Sequence, residues 1–189
     1  MSALQDAHIV ECVLGGDTNG YARLVDAYSE RIINYLARMT GNRYEAEDLA
    51  QETFIRAFCA LGTYKPEYKF STWLFRIAHN QCINYLKKRS RLVHVDDYRN
   101  QDDEPAWVLA DERPDCDPMY AAAQREVQAA VQTAIGELAP VYRTVVILRH
   151  VHGLSYQEIA KVVDVPIGTV KSRLGRARSQ LADRLDGKV

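Results

Sequence analysis

The stretch Ser155–Arg178, SYQEIAKVVDVPIGTVKSRLGRAR, predicts two short helices separated by a tight break. Ser155 and Glu158 form an S-x-x-E capping box, which marks the start of the first helix. Pro166 opens the second helix, because proline is tolerated in a first helical turn but not inside a helix. The pattern therefore favours a helix-turn-helix.

Each of these helices has an apolar face at helical spacing. The apolar positions are Tyr156, Ile159, Ala160 and Val163, and then Ile167, Val170, Leu174, Ala177 and Leu181. The outer face of the second helix carries Thr169, Lys171, Ser172, Arg173, Arg176 and Arg178, with no acid from residue 166 to 178. Arginine binds guanine in a bidentate way, so this face predicts a helix that reads the major groove. The alternative is an ordinary helical hairpin with a solvated basic face.

Composition limits the class of protein. The chain has 189 residues, 47% of them hydrophobic, with a net charge of −1, which is enough for one large or two small domains. Its four cysteines form no C-x-x-C pair, so no metal or disulfide framework is expected. Three of them, Cys12, Cys59 and Cys82, fall in helical patterns and are expected in the core. A signal peptide and a membrane-length apolar run are not expected, which favours the cytoplasm and no membrane insertion.

Periodicity predicts an all-α chain with helices at about 4–14, 19–40, 42–61, 71–90, 119–138 and 140–152, followed by the helix-turn-helix. The segment between 94 and 118 differs, because it holds nine acids, two bases and three prolines. We therefore expect two small helical domains, 1–94 and 119–189, joined by a flexible acidic linker at 95–118.

The helix predicted at 42–61 has an unusual outer face. Asp48, Gln51, Glu52 and Ile55 fall on one stripe, and no base lies between residues 45 and 52. Acids near a helix N-terminus stabilise the helix dipole, which is one explanation of the charge. That explanation leaves the apolar Ile55 unaccounted for, so a protein-docking face is the alternative.

Residues 64–93 combine basic and aromatic side chains. They hold seven Lys or Arg and one acid, with Tyr64, Tyr68, Phe70 and Trp73 in between. Basic groups follow phosphates and aromatic rings stack on unpaired bases, so a site for melted DNA is a physical possibility. A polar stripe of Arg76, Asn80, Asn84, Lys87 and Arg91 runs along the predicted helix. A solvated basic helix over core aromatics is the alternative.

Three motifs in order resemble the extracytoplasmic-function (ECF) group of bacterial sigma factors, the smallest members of the sigma-70 class. They are AEDLAQETFIRAF (46–58), FSTWLFRIAHNQCINYLKKRSR (70–91) and LSYQEIAKVVDVPIGTVKSRLGRAR (154–178). The resemblance covers nearly the whole chain. It implies a subunit that binds core RNA polymerase, directs promoter-specific initiation and is controlled by an anti-sigma factor, in a stress or envelope/metal response.

The resemblance also implies residue roles. The stripe Asp48, Gln51, Glu52 and Ile55 corresponds to the surface that binds the β′ clamp helices, and the C-terminal domain is expected at the β flap. Minus-ten recognition and melting fall on Lys65, Tyr68, Phe70, Ser71, Trp73, Arg76, Asn80, Asn84, Lys87, Lys88 and Arg91. Upstream-element contacts fall on Arg149, Thr169, Lys171, Ser172, Arg173, Arg176 and Arg178. No catalytic residue, metal or cofactor is implied.

Two other classes remain as alternatives. A stand-alone transcription regulator explains the helix-turn-helix but leaves the basic-aromatic segment and the Asp48–Ile55 stripe without a role. An enzyme is disfavoured, because the sequence has no nucleophile–base pair, metal-ligand spacing or phosphate-binding loop.

Overall fold

The computed structural model describes residues 3–93 and 118–186, and the side chains in these ranges apart from those at 3, 92–93 and 118–126. All regular structure in the described residues is helical, which confirms the predicted all-α class. The predicted linker, except for residue 118 at its end, lies outside the described residues, as does Cys116.

Eight helices are described. They are α1 (Ala3–Leu14), α2 (Asn19–Thr40), α3 (Arg43–Cys59), α4 (Phe70–Val93), α5 (Pro118–Gly136), α6 (Pro140–Val146), α7 (Tyr156–Val163) and α8 (Ile167–Leu185). A 3-10 turn, Leu61–Thr63, follows α3, and α6 continues into a π-helical segment, Ile147–Val151. The sequence predicted neither of these two short segments.

The N-terminal helical domain is built around α2, which packs on α1, α3 and α4. Leu24, Ile32, Tyr35 and Leu36 of α2 are fully buried, because they recur on one face of the helix. The helix ends at Gly41, whose φ of 82° lies in the left-handed region that glycine adopts readily, and its N–H donates to the Ala37 carbonyl.

The C-terminal helical domain packs α8 on α5, α6 and α7. The capping box at the start of α7 is confirmed, since the Ser155 N–H donates to Glu158 Oε2 at 2.8 Å and the Glu158 N–H donates to Ser155 Oγ at 3.2 Å. The turn between α7 and α8 passes through Asp164, which has a φ of 54°. Aspartate tolerates this left-handed conformation better than most residues, so the break is built locally.

Two expectations about the core are wrong. Ile167 is 40% exposed, because it is the first residue of α8 and lies ahead of the buried seam Val170, Leu174 and Ala177. Cys59 is exposed rather than buried. It follows the buried Ala57 by two residues, about 200° around the helix, so its side chain points away from the core. Cys82 is buried as expected, and burial raises the pKa of its thiol to about 12.

The two domains pack on each other through α4 with α7 and through α2 with α6. Arg143 of α6 reaches across this junction and donates to the Met39 carbonyl of α2 at 2.7 Å. It also donates to the Leu138 carbonyl at 3.0 Å and to the Gly136 carbonyl at the end of α5. One guanidinium thus satisfies carbonyls from both domains.

Candidate nucleic-acid and protein interfaces

The exposed face of α3 carries the predicted acidic stripe. The helix starts at Asn42, whose side chain accepts the Glu45 N–H at 3.2 Å, as the sequence predicted. Asp48, Gln51 and Glu52 are all exposed, and Ile55 is 64% exposed beside them. The stripe is therefore a solvent-facing surface.

Other acids of α3 are already paired. Arg43 binds Glu47 at 2.9 Å, and Arg89 of α4 binds Glu45 at 2.9 Å. Within the described parts of the chain, no ion pair engages Asp48 or Glu52. These two carboxylates are thus available to a basic partner.

An apolar groove of about 440 Å³ continues the stripe along α2 and α3. It is lined by Thr18, Tyr21, Ala22, Phe54, Ile55, Phe58 and Cys59. Phe58 is 43% exposed, and its ring lies 5.0 Å from that of Tyr21. The Tyr21 hydroxyl donates to the Phe54 carbonyl at 2.6 Å, which fixes the groove wall.

The sequence reasoning missed Tyr21 and Phe58. The signal for Phe58 was present, because it follows Ile55 by three residues and so shares its helical face. Tyr21 comes from a different helix, and only the packing of α2 on α3 places it in the groove.

The loop before α4 rests on an aromatic cluster. The rings of Tyr64, Phe70 and Trp73 lie 5.4 to 5.8 Å apart, and the Tyr64 hydroxyl donates to the Tyr68 carbonyl at 2.9 Å. Phe70 is 0% exposed, so its side chain does not reach solvent in this structure. It is the first residue of α4 and points inward, so it supports the loop from below.

The remaining members of the predicted melting surface lie nearer to solvent. Tyr68 is 43% exposed, and Ser71 and Trp73 are half-buried. The exposed members are Lys65, Arg76, Asn80, Asn84, Lys87, Lys88 and Arg91. The stripe along α4 is therefore on the surface, as the spacing indicated.

The outer face of α8 divides into two parts. Lys171, Ser172, Arg176 and Arg178 are exposed, whereas Thr169 and Arg173 are half-buried. Arg149 is also half-buried, since its guanidinium donates to the Leu154 carbonyl at 3.0 Å and lies 5.0 Å from the Tyr156 ring centroid. In this arrangement Arg149 stabilises the start of the helix-turn-helix. The exposed cations of α8 are the part of this surface that is accessible to a partner.

Ion pairs join α4 and its loop to α7. Lys69 binds Glu158 at 2.8 Å, and Arg76 lies 3.5 Å from Asp164. Partial burial raises the pKa of Glu158, but the hydrogen bonds from Lys69 and Ser155 outweigh it and bring the pKa below its usual value. Glu158 is thus ionised while it holds both the capping box and the loop.

The described residues contain no group of three or more His, Cys, Asp or Glu that could hold a metal ion. None of the helices described is long and apolar enough to span a membrane.

Comparison with known proteins assigns both domains. The sequence profile described as Sigma-70 region 2 matches residues 24–92, and the profile described as Sigma-70, region 4 matches residues 128–181. The first match contains α3 and all of α4 except its last residue, and the second contains the helix-turn-helix.

Relatives match over almost the full length. The chain is 38% identical to the RNA polymerase sigma-H factor of Pseudomonas aeruginosa, over 94% of this chain and 92% of that protein. It is 35% identical to the ECF RNA polymerase sigma factor SigW of Bacillus subtilis, over 93% of this chain and 94% of that protein.

Solved structures share the fold. The structure of CnrH in complex with the cytosolic domain of CnrY matches with a TM-score of 0.68 and 24% identity, covering 98% of this chain and 99% of that chain. The sigma factor RpoE in complex with the anti-sigma factor NepR, from Bartonella quintana, matches with a TM-score of 0.67 and 24% identity, over 88% and 96% of the two chains.

The fold and the matches at both domains define a promoter-directing transcription factor of the sigma-70 class. Within that class, the chain belongs to the ECF group of RNA polymerase sigma factors. It therefore binds core RNA polymerase and directs promoter-specific initiation of transcription.

Proposed function

We propose that the stripe Asp48, Gln51, Glu52 and Ile55, extended by the apolar groove, is the surface that binds the β′ clamp helices. The observation that carries this proposal is the open α3 face, where Asp48 and Glu52 lie on the same stripe as the exposed Ile55 and have no ion pair among the described residues. Charge complementarity orients a basic partner, and burial of apolar side chains supplies affinity. Phe58 and Tyr21 then belong to the same interface.

We further propose a division of DNA contacts between the domains. The loop at 65–71 and the exposed stripe of α4 hold the opened minus-ten strand, and the exposed cations of α8 read the upstream element. Both surfaces carry exposed cations that can bind phosphates. The loop also carries Tyr68, on which an unpaired base can stack, and arginines of α8 can contact base edges. Neither binds promoter DNA tightly alone, because specificity comes from holding both sites at once.

Regulation and location follow from the same assignment. We propose that the chain is no enzyme and acts in the cytoplasm, where core polymerase and promoter DNA are. We also propose control by an anti-sigma factor, in a stress or envelope/metal response. The structural relatives RpoE and CnrH support this, since their complexes contain NepR, an anti-sigma factor, and CnrY.

The test of the polymerase face is a titration of core polymerase with labelled protein. Asp48→Arg with Glu52→Arg should raise the dissociation constant by about a hundredfold or more, because like charges facing each other destabilise a complex by several kcal/mol. The matched control is Asp26→Arg with Glu30→Arg, which reverses two exposed acids at the same i, i+4 spacing on α2.

The control variant should bind core polymerase like the wild type. Full binding by the Asp48→Arg, Glu52→Arg variant contradicts the assignment of this face. A wild-type chain that binds no polymerase but still binds duplex DNA fits a stand-alone regulator instead.

A further inference from the structure

Helix α1 lies ahead of both matched segments and has no part in the surfaces described so far. It packs on α2, and it also contacts the 3-10 turn before the loop at 65–71 and α4, in which this loop ends. A side chain that α1 buries against these elements can therefore act on the loop from the inside.

The buried polar side chain of α1 is a carboxylate. Asp6 is 2% exposed, and its Oδ2 accepts a hydrogen bond from the Tyr28 hydroxyl of α2 at 2.5 Å. Its other oxygen, Oδ1, is buried and has no hydrogen-bond partner within the described ranges. Burying a carboxylate with incomplete pairing costs free energy, so an apolar side chain would fill this position at a lower cost. Stability alone therefore does not account for Asp6.

The ring of Tyr28 connects this carboxylate to the aromatic cluster under the loop. It lies 5.5 Å from the Phe70 ring, which in turn lies 5.5 Å from the Tyr64 ring. The Tyr64 hydroxyl donates to the Tyr68 carbonyl at 2.9 Å. A row of packed rings thus joins Asp6 to the backbone of the loop residue on which an unpaired base can stack.

Both tyrosine hydroxyls in this row remain hydrogen-bond donors at neutral pH. Burial, followed by the hydrogen bond to Asp6, raises the pKa of Tyr28 above its usual value. Burial and the negative charge of Asp6 raise the pKa of Tyr64 as well, so the carboxylate is near both phenols. The phenols therefore stay protonated, and an ionised carboxylate can only accept.

We propose that Asp6 is a positioning residue for promoter opening, which holds Tyr28 so that the ring row fixes the loop at 65–71. A hydrogen bond is directional and sets the place of the Tyr28 phenol, whereas apolar packing is not directional. A preorganised loop loses less conformational entropy on binding, so it holds an unpaired base more tightly. This inference rests on the proposed role of the loop in holding the opened minus-ten strand.

Three variants separate the hydrogen bond from the packing around it. Tyr28→Phe removes the hydroxyl but keeps the ring against Phe70, and Asp6→Ala removes the acceptor; we call these two the bond-breaking variants. Asp6→Asn keeps an acceptor oxygen and is the conservative variant. The matched control is Thr53→Val, which removes a different buried hydroxyl of the same domain, one that donates to the Leu49 carbonyl within α3.

The first measurement follows the ring cluster in the free, full-length chain. Trp73 lies 5.4 Å from the Phe70 ring and 5.8 Å from the Tyr64 ring. Trp107 is the second of the two tryptophans, so Trp107→Phe leaves Trp73 as the reporter. The bond-breaking variants should shift its emission to longer wavelength and increase its quenching by acrylamide, because a loosened cluster admits water. The conservative variant and the control should match the parent chain.

The second measurement is promoter opening by the holoenzyme, on a promoter that the wild-type holoenzyme selects from a randomised library. Permanganate reactivity of unpaired thymines should fall by about threefold to tenfold in the bond-breaking variants, which is the effect expected for one lost hydrogen bond. The conservative variant and the control should open the promoter like the wild type. Affinity for core polymerase and the upstream footprint should not change, because Asp6 is buried away from both surfaces.

Denaturant titrations and circular dichroism compare the stability and the helical fold of all four variants. A purely structural role for Asp6 predicts that opening and Trp73 emission follow the free energy of unfolding, so that Thr53→Val changes both as much as an equally destabilised bond-breaking variant. The positioning role predicts that only the bond-breaking variants change them.

Two results overturn the proposal. One is Trp73 emission and quenching that the bond-breaking variants leave unchanged, and the other is a loss of opening that the equally destabilised control shares. The fluorescence measurement uses neither polymerase nor DNA, so its failure leaves the proposed function standing. A changed emission with normal opening would instead show that the loop does not hold the opened strand, which contradicts the proposed function as well.

Discussion

The acidic face of α3 and the basic face of α4 differ in what the fold leaves free. Asp48, Glu52 and Ile55 are exposed, and the two carboxylates have no ion pair among the described residues. Lys69 and Arg76, by contrast, are engaged by Glu158 of α7 and by Asp164 of the turn that follows it. The face proposed to bind polymerase is open, while the face proposed to hold opened DNA is partly covered.

This difference suggests an order of events. A protein that offers its polymerase face first avoids unproductive contacts between its DNA-opening face and other nucleic acid, whose binding is driven largely by phosphate charge.

The largest expected effect is a loss of folding stability at acidic pH. Burial, together with the nearby charges of Arg31 and Arg38, lowers the pKa of His152 to about 4, and burial lowers that of His79 to about 4. An unfolded histidine has a pKa of about 6.5, so between pH 6.5 and 4 the unfolded chain takes up protons that the folded chain does not. The contribution of these histidines to the free energy of unfolding is therefore complete above pH 6.5, and it is lost as the pH falls toward 4. The loss is at most roughly 3 kcal/mol per histidine.

Denaturant titrations from pH 7.5 to 4 test this linkage. His152→Phe keeps a ring against Phe75 and should flatten part of the pH dependence, whereas the exposed His8→Phe should not. An unchanged pH profile in His152→Phe would show that protonation of His152 does not cause the loss of stability in acid.

A second prediction concerns α8. Arg176 is exposed, whereas Arg173 is half-buried near α4, so α8, which we propose reads the upstream element, is only partly involved in the contact between the domains. Arg176→Ala should weaken binding to the upstream element by about 1–3 kcal/mol, because a bidentate base contact is lost. Polymerase affinity should stay the same.

Footprinting of the holoenzyme over the upstream element measures this effect. Arg184→Ala is the matched control on the same helix, since Arg184 is bound to Glu137. A normal upstream footprint in the Arg176→Ala variant would remove that residue from the reading surface.

The smallest expected effect is a gain. Lys161→Ala with Asp164→Asn removes two of the charges by which the helix-turn-helix contacts α4 and its loop, while asparagine still tolerates the left-handed turn. If most free molecules have their two domains in contact, and if core polymerase binds molecules with separated domains, a larger separated fraction lowers the apparent dissociation constant for core polymerase in proportion. We expect a decrease of about threefold to tenfold. Equilibrium titration of core polymerase measures this dissociation constant. Equal or weaker binding by the variant would show that the contact between the domains does not limit polymerase binding.

Local signals in the sequence predicted most of the fold. The capping box at Ser155 and the helix end at Gly41 are set by neighbours within a few residues, and both are confirmed. The sequence did not predict that Phe70 points inward, because this depends on where α4 begins. It did not predict that Cys59 is exposed, because this depends on which side of α3 meets the core. The contact of α7 with α4 joins residues about 90 positions apart, and no periodicity within either helix encodes it.

The candidate site shows the same difference between residues on one helix and residues brought together by packing. The α3 stripe was visible in the sequence because all its members share one helix. The groove beside it needed Tyr21 from α2, and the cover over Tyr68 needed Lys161 from the other domain. Pattern analysis finds single-helix surfaces, whereas surfaces shared between helices emerge only from packing.

The most direct test of the central claim is transcription in vitro from a library of randomised promoters. Core polymerase with the wild-type chain should enrich transcripts whose templates share two sequence elements at a fixed separation. Core polymerase with the Asp48→Arg, Glu52→Arg variant should enrich none. Transcripts no different from those of core polymerase alone, or equal enrichment by the variant, would contradict the account.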